Sequence, residues 1–183
     1  MSKRVQASAL AAAALAFGPA AAQTPAAPAS DNGSPAASAA ITALDRVCLP
    51  LIQGKPIKAV ASAVGMKQTR GEWVMVIEGR QRVVVDPPGG ANPTVCTVVI
   101  TYAPGAETAM IAALDGWAAA RTPPLQKDKV REEATGSRKL SSWLGSTPDG
   151  NHTIVLAEQK TPTGGPIAAP LEQATLLVNL GKP

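Results

Sequence analysis

Thr94-Val95-Cys96-Thr97-Val98-Val99-Ile100-Thr101-Tyr102 is the stretch that decides how this chain folds. Cys96, Val98, Ile100 and Tyr102 alternate with Val95, Thr97, Val99 and Thr101, and a period of two sends the two sets to opposite faces of a strand. The row containing Cys96 carries the larger apolar side chains and is assigned to the core. The only other cysteine, Cys48, falls on the apolar stripe of a predicted helix. A Cys48–Cys96 bond would therefore pin that helix to the strand.

The stripe of this first helix holds Ile41, Leu44, Cys48, Leu51 and Ile52, with Ser38 as its expected cap and Pro50 as its expected kink or end. Pro56 suits the first position of a second helix, with Ile57, Val60, Ala61 and Val64 inward and Gly65 as its stop. Trp73 to Ile77 and Val83 to Val85 read as a hairpin that reverses through Glu78-Gly79-Arg80-Gln81. Beyond the deciding strand the period becomes helical, with Met110, Ile111, Leu114, Trp117, Ala118 and Arg121 on one stripe and Pro123-Pro124 ending it. The charged stretch from Gln126 to Lys139 reads as partial helix. Leu140 to Leu144 and His152 to Gln159 flank a Pro148-Asp149-Gly150 turn signal, and Ala174 to Leu180 forms a last strand. Two tryptophan-led, three-strand halves joined by a helix suggest a duplicated unit. The fold expected is α+β: an antiparallel sheet of five to six strands, helices on one face, in a single domain spanning 38–183.

The residues before that domain have a different composition. Ser2-Lys3-Arg4, the apolar run from Val5 to Gly18 and the small residues Ala20-Ala21-Ala22 read as a signal peptide over 1–22, cleaved between Ala22 and Gln23. An apolar run of about 14 residues falls short of the ~20 needed to span a bilayer, and no later segment reaches that length. Residues 23–37 are Ala, Pro, Ser, Thr, Asp, Asn and Gly, expected to be a disordered linker for want of large apolar side chains. Loss of Lys3 and Arg4 brings the formal charge of +4 down to near +2. Export and two cysteines together favour a disulfide, and the location expected is periplasmic or secreted.

Sites of chemistry are sparse. There is no phosphate-cradling glycine loop, no Gly-x-Ser-x-Gly elbow and no Ser-x-x-Lys pair, which counts against the common hydrolases. One histidine and two pairing cysteines leave a metal site to carboxylates alone, so neither metal nor other cofactor is expected. The basic excess between Arg121 and Lys139 lacks aromatic residues from 118 to 142, and nucleic acid is not expected as a partner. His152, opening a strand after a turn, is expected to be partly exposed; as a general base it would need Asp149 or Glu158 to orient it. Trp143 alternates with Leu140 and Leu144, and if those leucines face inward it faces out.

These features favour a non-enzymatic exported binding module for a protein or envelope polymer. Its expected contact surface is Trp143 with the Pro/Gly-rich connection that contains Lys160, Pro162, Gly164, Gly165 and Pro166. The alternatives are a small envelope hydrolase using His152 and a protease inhibitor that presents the Lys160 to Gln173 loop. A bare apolar sheet face opposite the helices would mark a surface for a partner or for self-pairing; a polar one would leave only the loops.

Overall fold

The computed structural model describes residues 34–89 and 94–181. The signal segment 1–22 with its Ala22/Gln23 junction, and the linker through residue 33, lie outside the described residues. The linker assignment fails at its C-terminal end. Helix α1 (Pro35–Thr42) already includes Ala36 and Ala37, both buried. Pro35 stands in the first turn, where its missing N–H costs nothing, and Ser34 rather than Ser38 occupies the cap position. Alanine was read as too small to order the chain, yet on a helix its small side chain lets α1 lie close against the long helix α4 (Glu107–Ala119).

From α1 the chain runs on through a π-helical segment, Ala43–Cys48, into α2 (Leu49–Ile52), so Pro50 sits inside the helix instead of ending it. A π-turn widens the backbone spiral just before the proline, where its ring would crowd the preceding turn. The whole run, Pro35–Ile52, is long and apolar enough to cross a membrane, but 56% of it is buried inside the protein. Leu44, Val47 and Cys48 on this run are fully buried. Helix α3 (Ile57–Ala63) follows Pro56, and Gly65 with φ +79° closes it.

Among the described residues nine strands make one antiparallel sheet: β1 (Lys67–Thr69), β2 (Glu72–Val76), β3 (Arg82–Asp86), β4 (Val95–Tyr102), β5 (Gln126–Lys127), β6 (Arg131–Glu132), β7 (Arg138–Thr147), β8 (Gly150–Gln159) and β9 (Glu172–Gly181). The order is β1-β2-β3-β4-β9-β8-β7-β5, with β6 also on β7. The sheet exceeds the five to six strands expected, and six of its nine strands are long. The extra three are stubs, and two of them, β5 and β6, replace the helix expected between Gln126 and Lys139. There the backbone pairs with β7 at Gln126–Leu144, Lys127–Trp143, Arg131–Leu140 and Glu132–Lys139.

The last strand joins the two halves. Among the described residues the meanders β2-β3-β4 and β7-β8-β9 pair with each other through β4 and β9, antiparallel from Val95–Asn179 to Tyr102–Glu172. Each meander is preceded by helix, so the chain reads as helix then three strands, twice. Antiparallel pairing of the two third strands is the layout that a twofold axis normal to the sheet would generate.

Alternation along each strand sorts the side chains between two environments. One face carries Trp73, Val83, Val85, Cys96, Val98, Ile100, Ile154, Leu156, Leu176 and Val178, buried with Leu44, Met110, Leu114 and Trp117 of the helices in one core. Burying a Leu, Ile or Val of this kind is worth about 1.5–3 kcal/mol relative to exposure. Cys48 and Cys96 stand at disulfide distance, Cα atoms 5.4 Å apart, and join the π-helical segment to β4.

Two indole–carboxylate pairs tie helix to sheet and helix to helix. Trp117 Nε1 donates to Asp45 Oδ1 at 3.1 Å, with Arg121 stacked 4.3 Å from the ring and 3.5 Å from the same carboxylate. Trp143 Nε1 donates to Asp115 Oδ1 at 2.8 Å, and Lys127 bonds the other oxygen of Asp115 at 2.8 Å while lying 5.5 Å from the Trp143 ring. A buried indole needs an acceptor for its N–H. In both cases a helical aspartate supplies it and a basic side chain covers the pair.

Candidate functional site

The face of the sheet turned away from the helices has no element packed on it among the described residues. Its composition follows from the second alternation row of each strand. Across β4, β9, β8 and β7 that row reads Val95, Thr97, Val99 and Thr101; Gln173, Thr175, Leu177 and Asn179; Thr153, Val155, Ala157 and Gln159; Leu140, Ser142 and Leu144. None of these carries a charge. Most are half-buried, Thr101 and Ala157 are buried, Val76 on β2 is 69% exposed and Leu144 is 39% exposed; at one end Thr101, Arg82 and Val76 line a cavity with Ala168 and Leu171 of the Pro/Gly connection.

Charged side chains on this face occur only toward its two sides. Lys67, Glu72, Arg82 and Asp86 stand on β1 to β3, and Arg131 and Arg138 stand on β6 and at the start of β7. A charge-depleted centre inside a polar rim is the anatomy of a protein–protein interface. Sequence reasoning did not single out Leu177, Val155 or Val99 as site residues. The signal was present: strands β4 and β9 are apolar or Thr-rich in both alternation rows, which is the pattern of a sheet covered on both sides.

Trp143, expected to be exposed, is 1% exposed and belongs to the core row, opposite Ile154. The phase of β7 is therefore the reverse of that assigned: Ser141 and Trp143 face inward, Leu140 and Leu144 outward. Asp115 on α4 gives the indole N–H an acceptor on the inner side, so the large ring is buried without stranding its donor. The Pro/Gly connection does lie at the surface, with Lys160, Pro162, Gly164 and Pro166 exposed. It is a closed turn. Thr161 N–H donates to Gly165 O at 2.8 Å, Gly165 N–H donates to Thr161 Oγ1 at 2.9 Å, and Lys160 pairs with Pro166 across a β-bridge. A segment bonded to itself in this way does not offer the extended backbone that a protease would bind.

His152 is likewise buried rather than exposed, at 3%. Its ring meets Trp117 edge-on at 6.3 Å, Nε2 and Thr147 Oγ1 are 3.0 Å apart, and Nδ1 has no hydrogen-bond partner. Burial lowers its pKa, the nearby Arg121 lowers it further, and Asp149 opposes both. Glu158, on the same strand, lies six residues away, about 20 Å at the rise of an extended chain. Neither carboxylate named as an orienting partner hydrogen-bonds the imidazole, so the base–orienter pair that a general base requires is not assembled.

At the opposite end of the core face, charges do converge. Glu132 pairs with Lys139 and Lys139 with Glu158 across β6, β7 and β8, forming a ladder of alternating sign beneath the N-terminus of α4. The helix begins with Glu107, which faces the same space.

The fold and these surfaces define a two-layer α+β protein with one face of its sheet uncovered among the described residues. Compared with known proteins, the chain matches no family model, no curated protein and no solved structure.

Proposed function

We propose that this chain is an exported, non-enzymatic binding module that docks a protein partner on the open face of its sheet. The observation that carries the reading is the uncharged centre of that face, from Leu140 on β7 to Val99 on β4, flanked on one side by Lys67, Glu72, Arg82 and Asp86 and on the other by Arg131 and Arg138. Four strands spaced about 4.8 Å apart and four residue rows about 6.8 Å apart give the uncharged centre a footprint of roughly 520 Å². The charged flanking strands extend it toward the ~800 Å² per partner of a standard-size interface. The cysteine pair at disulfide distance is compatible with export and supports a periplasmic or secreted location.

A protein fits better than an envelope polymer, because a sugar chain is held by stacking on aromatic rings and Trp73, Tyr102, Trp117 and Trp143 all belong to the other side of the sheet. It also fits better than a second copy of this chain related by a twofold axis along the strands. Rotation about an axis along the strands, between β4 and β9, would lay Lys67 over Arg131 and set Glu72 and Asp86 over Ser142 and Val155, burying charge without partners. A distinct partner with an apolar centre and acidic residues opposite Arg131 and Arg138 meets neither cost.

The test is site-specific crosslinking in periplasmic extract. A photo-crosslinking amino acid at Thr153 should capture one protein, and Leu177→Lys in the same chain should abolish the adduct without changing the near-UV circular dichroism. An adduct of twice the chain's own mass would assign the face to self-pairing and remove the proposal. So would the absence of any adduct from the folded protein.

A further inference from the structure

The cleft under the N-terminus of α4 lies on the helix side of the sheet, away from the proposed docking face, and encloses about 330 Å³. Its lining includes Glu107, Glu132, Glu158, Lys139 and Lys160. A cluster of surface charge would need no ligand, but Glu158 is buried and one oxygen of the half-buried Glu107 is buried as well. Glu158 is only 8% exposed, and its Oε1 accepts no hydrogen bond. The nearest cation, Lys139 Nζ, stays 3.7 Å from that oxygen, outside hydrogen-bonding range, with its own side chain 44% exposed. Oε2 of Glu107 is likewise buried with no hydrogen-bond partner. Leaving a buried carboxylate oxygen without a donor is costly, and more so for the ionised form. Burial accordingly raises the pKa of Glu158, with Glu107 adding to the rise and Lys139 and Lys160 opposing it.

We infer that this cleft binds a small zwitterion, its protonated amine donating to Glu158 and Glu107 and its carboxylate meeting Lys139 and Lys160. An ammonium brings three donors and no acceptor, which suits two carboxylate oxygens that accept nothing. The lysines in the lining make a second positive charge on the ligand unfavourable and a negative one favourable. Among the described residues no group of three or more His, Cys, Asp or Glu converges as a metal ion would require, so the donors wanted here are N–H groups. The volume is at the small end of ligand pockets and suits an amino acid rather than a peptide.

Titration of the isotopically labelled protein with three probes of one size tests this: β-alanine, propylamine and propionate, followed by amide shifts of Glu107, Ile111 and Gly136. β-Alanine should saturate the shifts, propylamine should bind at least about tenfold more weakly, and propionate should leave them in place. Glu158→Gln, which keeps the shape and removes the charge, should weaken β-alanine by about tenfold or more, as expected when a charge-assisted hydrogen bond is lost. Lys160→Gln should bring β-alanine down to the propylamine level. No saturable shift with β-alanine, propionate binding as tightly as β-alanine, propylamine equal to β-alanine, or an unaffected Glu158→Gln variant would each overturn the assignment.

Discussion

Trp143 shows how the phase of a strand rests on partners elsewhere in the chain. The alternation in β7 was plain in the sequence, but the inward row is the one whose large ring fills the core and whose indole N–H finds Asp115, 28 residues earlier and on another element. No local pattern contains that information. Trp143→Phe should keep most of the apolar volume and lose the indole hydrogen bond, lowering stability by about 1 kcal/mol, whereas Trp143→Ala should cost about 3–5 kcal/mol. Urea denaturation followed by far-UV circular dichroism measures both; a cost near zero for Trp143→Ala would contradict burial of the ring.

His152 makes a second prediction at this scale, one of pH. Its folded-state pKa is below the ordinary 6.5 because of burial and Arg121, with Asp149 opposing. Above pH 6.5 the ring is neutral folded and unfolded and adds no pH dependence. As pH falls below 6.5 the unfolded chain takes the proton first, so stability declines until the folded pKa has been passed. His152→Gln should therefore flatten the wild-type fall in melting temperature between pH 7 and pH 5, and an equal slope in both proteins would show that the imidazole does not titrate in this way. The sequence placed His152 after a turn, which is correct, but not under the end of α4, where Trp117 covers it.

At the level of elements, the strands of the two meanders and the helix between them were legible because each has a clean period. The segment from Gln126 to Lys139 was not. Two-residue strands are held by an existing neighbour, here β7, and leave no periodicity of their own. α1 was half missed for a related reason, since its alanines are ambiguous until α4 is placed beside them. The corrected phase of β7 and β8 is tested by a contrast between faces: Leu156→Ala in the core row should cost about 2–5 kcal/mol, and Leu144→Thr on the open face less than ~0.5 kcal/mol. The cysteine link belongs to this scale too. Cys48 and Cys96 are 48 residues apart, and on the chain-entropy model closing such a loop stabilises the fold by up to about 4 kcal/mol. Reduction should lower the denaturation midpoint accordingly, and non-reducing mass mapping of the folded protein should recover the two cysteine peptides joined.

For the whole molecule, the sequence suggested two three-strand halves but not how they meet. Among the described residues β9 supplies the only strand pairing between them, through β4, and its pairing extends along its full length with both β4 and β8. The candidate surfaces were less legible than the fold. An uncharged row on one strand is unremarkable; four such rows become a surface only when β9 is inserted between β4 and β8, a contact between residues far apart in the chain. The same is true of the cleft, whose carboxylates come from α4, β6 and β8.

The margins of the sheet carry a last consequence. One is β1, three residues long and exposed throughout, and the other is the pair of two-residue strands along β7. A neighbouring molecule seeking to extend the sheet by its backbone would find only a few free N–H and C=O groups at either margin, beside Lys67, Lys127 and Arg131. Short edges of this kind, carrying lysine and arginine, disfavour growth of fibres by strand addition and leave the broad face as the larger surface for attachment.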